Sequence, residues 1–251
     1  MLICMSSPLS VNLEHGEQWW YAHVAELPGC FTRADTRDGA LAALPETIRL
    51  HLSFLEDHGN RPELRSQGFS VVEEVEGIPE LGESGGAVAL FESDLRPVEP
   101  SELRGFLDLM RWNREELVEA VEPLTEEERA AEPIPGKRSI DRTLRHIANA
   151  EEWYVSRLGA KAEMMYIDFS GNLKKGRRKF QPLERLTIVR KGASSTLEAV
   201  FPDQTKGTFR RRAYTSHPEE LWTFRKVLRR FVEHEREHIA TMRKLLDALV
   251  I

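Results

Sequence analysis

Apolar and polar residues alternate near the start of the chain and then settle into a three-to-four-residue rhythm, so the pattern itself divides the sequence. Leu9–Leu13 and Trp19–Ala25 alternate as strands do, separated by the turn-like His15-Gly16-Glu17. A third short strand is predicted at Cys30–Ala34, after the Pro28-Gly29 turn. Thr36 caps a helix predicted over Arg37–His58, with Leu41, Leu44, Ile48, Leu52 and Leu55 in helical rhythm. Pro45 lies inside it and is expected to kink or locally adjust it. Phe69–Val75 reads as one more strand. Residues 77–100 are rich in Pro, Gly, Ser and Glu and read as a linker, with one further strand predicted at Ala87–Phe91.

From Ser101 onward the pattern is helical. Glu102–Val121 carries Leu103, Phe106, Leu107, Met110 and Leu117 on one side. Thr125 opens a short helical turn that ends before Pro133-Ile134-Pro135-Gly136, and Ser139 caps a long helix to about Leu158. A polar, basic stretch follows, then a helix over Pro182–Phe201. Ser216-His217-Pro218-Glu219 has the form of a capping box with proline in the first turn, predicting a last helix from there to the end. Four long amphipathic helices make a bundle the natural solution, and the long connection between the second and third permits a crossover.

Charge supports two units, residues 1–76 and 101–251 around the 77–100 linker. Residues 1–100 hold seventeen acidic residues, six arginines and no lysine, against 29 basic and 24 acidic residues in the remainder. The acidic first part argues against nucleic acid as its partner. No apolar run approaches the ~18 residues of a membrane helix. The start is not read as a signal peptide, because Met1-Leu2-Ile3-Cys4 is short and lacks a basic flank. Two cysteines, Cys4 and Cys30, make no disulfide framework in 251 residues, and a cytoplasmic protein is expected.

The densest chemistry lies in His234-Glu235-Arg236-Glu237-His238. Histidines four apart stand on one helical face and can reach one ion, or they are two surface histidines on a charged helix end. Val227, Phe231, Leu245 and Leu249 fall in the same sector, which favours the metal. His146, near the middle of the second long helix, is the third candidate ligand. Three imidazoles with an open fourth position form a catalytic-type zinc set; nickel, iron and manganese fit the same donors. Glu235 lies closer to the apolar face than Glu237 and is the candidate base or support for a ligand, or else a plain surface glutamate. Trp153 and Arg157 follow His146 along its helix and are candidates for a substrate pocket. The HExxH form of a zinc peptidase is also satisfied, but only about a dozen residues follow it, none His or Glu, which disfavours a peptidase. Lys174–Phe180 and Arg210, Arg211 and Arg212 are basic runs that suit either solvent or an anion such as a carboxylate-bearing thiol cofactor.

Tyr21-Ala22-His23-Val24-Ala25-Glu26-Leu27-Pro28-Gly29-Cys30-Phe31-Thr32, followed by Asp35-Thr36-Arg37, resembles the HicB antitoxin core. That resemblance implies a small sheet with one helix and a protein partner of the toxin type. Ser139-Ile140, His146-Ile147-Ala148-Asn149-Ala150-Glu151 and Phe231…His234…His238 together resemble the DinB-like superfamily of metal-binding four-helix bundles. This second resemblance implies an up-down-down-up bundle, metal ligands at His146, His234 and His238, and a homodimer. It further implies a thiol S-transferase using a low-molecular-weight thiol on a small-molecule substrate. The expectation is therefore a two-domain chain, α+β then all-α. Its leading function is metal-dependent thiol transfer. The rival is a non-catalytic stress or toxin-associated binding protein with a structural metal.

Overall fold

A computed structural model describes residues 8–62, 68–171, 173, 180–204 and 206–249. The chain divides into two compact units. One runs up to Leu95 and includes Thr215–Glu220; the other comprises Arg96–Tyr214 and Leu221 onward.

Among the described residues the first unit is a four-stranded sheet with one α-helix. Strands β1 (Leu9–His15), β2 (Trp20–Val24) and β3 (Phe31–Ala34) form an antiparallel meander. After α1 (Arg37–Asp57), β4 (Phe69–Val75) returns parallel to β1, giving the order β3-β2-β1-β4. A parallel neighbour needs a crossover, and α1 supplies it. Thr36 caps α1 by accepting from the Gly39 amide, as the sequence predicts, and the helix runs on through Pro45 with Leu44 and Ile48 buried.

The predicted strand at Ala87–Phe91 does not form. Its amides are taken by other groups: Ala87 N donates to the Pro79 carbonyl, Val88 N to Glu220 and Ala89 N to Glu14. Residues 77–95, read as linker, instead bury Leu81, Ala87, Ala89 and Phe91 within the first unit.

The second unit is a helical bundle of α2 (Pro100–Val121), α4 (Ile140–Arg157), α6 (Pro182–Gln204) and α7 (Phe224–Leu249), with a short α3 (Glu126–Ala130) after α2. Side-chain pairs fix the directions. Arg225 meets Glu102 at the starts of α7 and α2, and Arg243 meets Glu116 towards their ends, so these two run parallel. Arg185 donates to Asn149 and Gln204 to the Leu158 carbonyl, so α4 and α6 also run parallel. Tyr154 packs on Phe231 while His146 faces His238, so α4 runs against α7. The order is up, down, down, up. Leu117, Leu144, Ile147, Leu186, Val189 and Met242 form the core between the helices.

Two sequence expectations need correction here. The stretch after Leu158 contains an additional helix, α5 (Ala160–Phe169), entered through Gly159 in the left-handed region at φ 99°. The last helix does not begin at Ser216-His217-Pro218. Leu221–Trp222 (β6) first pairs with Phe209–Arg210 (β5), and α7 starts only after Thr223, whose hydroxyl accepts from Lys226 N. The strand pair takes Leu221 and Trp222, which the capping-box reading had placed inside the helix. Lys174–Lys179, like Cys4, lies outside the described residues.

Candidate metal centre

His234 and His238 stand one turn apart on α7, and the antiparallel α4 brings His146 across to them. The Nε2 atoms of His146 and His234 are 3.2 Å apart, and those of His234 and His238 are 3.1 Å apart. Four-coordinate zinc with Zn–N bonds of about 2.0–2.1 Å places its nitrogens roughly 3.3–3.4 Å from one another, so these rings fit one ion. Among the described residues the group consists of these three, with ligand atoms all within 4.8 Å of one another. An ion held by these three donors would keep one coordination position for a small molecule.

His146 and His234 are held in the uncharged form that metal binding needs. Burial, with the positive charge of Arg138 adding to it, lowers the pKa of His146 to about 4. Burial first, then the neighbouring His238 and His146, puts His234 well below the usual histidine range. Tyr154 sets its ring edge-on to His234 with centroids 5.8 Å apart, and burial holds its phenol in the protonated form.

Glu235 goes elsewhere. It is almost fully buried and enters an ion cluster to which each long helix contributes one residue: Arg114 from α2, Glu151 from α4, Arg190 from α6 and Glu235 from α7. Arg114 Nε donates to Glu235 Oε1 at 2.7 Å and Arg114 Nη2 to Glu151 Oε1 at 2.5 Å. Arg190 Nη2 donates to Glu235 Oε2 at 2.6 Å and also reaches Glu151. Both Glu235 oxygens are thus committed to guanidinium groups, which places its carboxylate as a tie between helices. Burial would raise the pKa of Glu151, but the two guanidiniums outweigh it and the carboxylate stays ionised below its ordinary range.

The other sequence candidates are spread around the unit. Trp153 lines a cavity beside α4, with its indole N–H donating to the Tyr214 carbonyl. Arg157 is buried, donates to the Arg211 and Ala213 carbonyls, and lies 4.4 Å from the Trp153 ring centroid, which makes it a clamp on the 211–213 segment. Arg211 pairs with Glu163 at 2.7 Å, while Arg210 and Arg212 are exposed. Glu237 is half-buried. Sequence reading passed over Arg114 and Arg190, although each lies on an apolar line of its helix, between Met110 and Leu117 and four residues after Leu186.

A family model described as the DinB superfamily matches residues 109–242. No curated protein matches the chain. Among solved structures the chain is similar to one of YfiT from Bacillus subtilis, described as a probable metal-dependent hydrolase with an unusual four-helix bundle topology. That similarity has 17% identity and a TM-score of 0.44, covering 64% of this chain and 92% of the other.

Proposed function

The chain belongs to the DinB superfamily, and on that premise we propose that its bundle is a metal-dependent enzyme of the thiol-transfer type. The observation that carries this reading is the convergence of three buried or half-buried imidazole nitrogens on one point. Zinc is the first choice of ion and nickel the second. A divalent ion held there would lower the pKa of an incoming thiol and polarise an electrophile. His146, His234 and His238 would hold it, and Tyr154 would fix the plane of His234. The bundle has no cysteine, since the chain has none after Cys30, so the thiol comes from a low-molecular-weight compound. No helix of the described residues is long and apolar enough to cross a membrane, in keeping with a small-molecule substrate reached from water. A homodimer belongs to the same proposal.

For the first unit we propose a protein-binding role, on its HicB-like resemblance and on the two outermost strands, β3 and β4, of its sheet.

The test is consumption of a small thiol in the presence of an aryl halide electrophile, with zinc or nickel added, beside a His146→Ala variant. A metal-dependent rate that the variant lacks supports thiol transfer. Metal binding without any such rate rejects thiol transfer and favours the reading in which the metal is structural.

A further inference from the structure

Along α4, the turns beyond His146 open onto a cavity of about 410 Å³. Asn149, Glu152 and Trp153 form one wall, Glu163 and Tyr166 of α5 another, and Tyr214 a third. That volume lies in the range of small-molecule sites. None of the three histidines lines it.

The wall's charges are compensated from behind. Glu152 accepts from Arg185 Nη2 at 2.9 Å and from the Tyr166 hydroxyl at 3.1 Å. Glu163 accepts from Arg211 Nη2 at 2.7 Å. A net charge on a ligand would therefore gain little here. The wall's donors are also engaged: the Trp153 N–H on the Tyr214 carbonyl, and the Tyr166 hydroxyl on Glu152. What the cavity presents is acceptor oxygen and aromatic faces, and carboxylate oxygens accept several hydrogen bonds at once. Asn149, whose Oδ1 accepts from Arg185 at 2.6 Å, adds an amide donor.

The aromatic side is built in a particular way. Arg157 covers Trp153 at 4.4 Å and fixes that ring. Tyr214 has φ 60°, a conformation that a bulky residue adopts at a cost, and its side chain is 66% exposed. Strain of this kind concentrates where a side chain must be held for a ligand.

We propose that this cavity binds a neutral, planar heteroaromatic molecule bearing N–H donors, of the aminopurine or aminopyrimidine class, between the carboxylates and the Trp153 and Tyr214 rings. The proposal goes beyond the metal-dependent reading and does not rest on it.

The probe is 2-aminopurine, whose own fluorescence is quenched on stacking, titrated into the full-length chain as purified and after chelation. Saturable quenching below about 1 mM is expected, with the same affinity in both preparations. Tyr214→Ala, at an exposed position, should weaken binding about fivefold or more, the loss of one stacking contact. Glu152→Gln should weaken it too, and purine, which lacks the amino group, should bind less tightly. Absence of saturable quenching, full affinity in Tyr214→Ala, equal binding of purine, or loss of binding on chelation would each overturn the proposal.

Discussion

Glu235 and Arg190 meet inside the bundle, Oε2 of one accepting from Nη2 of the other at 2.6 Å, a single residue along α7 from His234. The contact closes an ion cluster shared by all four long helices, and it ties down the helix that carries two of the three candidate ligands. Removing one member leaves a buried charge uncompensated, which typically costs about 3–5 kcal/mol. Glu235→Ala should therefore lower the unfolding free energy from urea titration by an amount in that range, and Glu235→Gln by less. A Glu235→Gln protein with unchanged stability and abolished activity would instead mark Glu235 as a base.

Acid should attack the same cluster. The Glu151 carboxyl has its pKa lowered below the ordinary 4.5, with burial opposing and Arg114 and Arg190 prevailing. A depressed carboxylate contributes stability that is present above the unfolded pKa and is lost as pH falls through the folded one. Stability followed by circular dichroism should thus hold from neutral pH down to about 4.5 as far as this group is concerned, then decline. Glu151→Gln should lower the plateau and flatten the decline.

Two helix glycines should respond in opposite senses to the same substitution. A Cβ on Gly192 of α6 would lie 3.0 Å from both Ser170 Cβ and Tyr166 Cε2, so α5 approaches α6 through the missing side chain. Gly192→Ala should destabilise by roughly 1–3 kcal/mol through overpacking. A Cβ on Gly105 of α2 meets nothing within 4 Å, and Gly105→Ala should stabilise by about 0.5–1 kcal/mol. Thermal melts of the two variants decide the matter.

In the first unit, Glu14 is fully buried, with Oε1 2.9 Å from His23 Nε2 and Oε2 accepting from Ala89 N at 2.6 Å. Glu14→Ala strands the Ala89 amide, at a cost of about 1–3 kcal/mol. Hydrogen exchange at that amide should speed up while exchange in α4 and α7 is unchanged.

The pattern of the chain was a good guide wherever one physical rule acted alone. The four-residue spacing of His234 and His238 reports a shared helix face whatever surrounds it, and Thr36 and Ser139 cap their helices because a hydroxyl meets the orphan amides three residues on. Where a local signal competed with a distant partner it misled. Ser216-His217-Pro218 has a helix-start pattern, yet Leu221–Trp222 gains a strand partner in Phe209–Arg210. Ala87–Phe91 looks like a strand, but Glu14 and Glu220 claim its amides. Glu235 falls nearer the apolar sector of its helix than Glu237 but reads equally as a surface glutamate, and the structure buries it. Its partners, Arg114 and Arg190, come from helices whose neighbours no single-helix periodicity reveals.

Metal content of the full-length chain, measured by elemental mass spectrometry beside a His238→Ala variant, tests the central claim most directly. About one transition-metal ion per chain, lost in the variant, is the result the three-imidazole geometry predicts. Absence of bound metal in the unaltered chain, even after zinc and nickel are supplied, would contradict it and leave the three histidines as a packed group in the bundle.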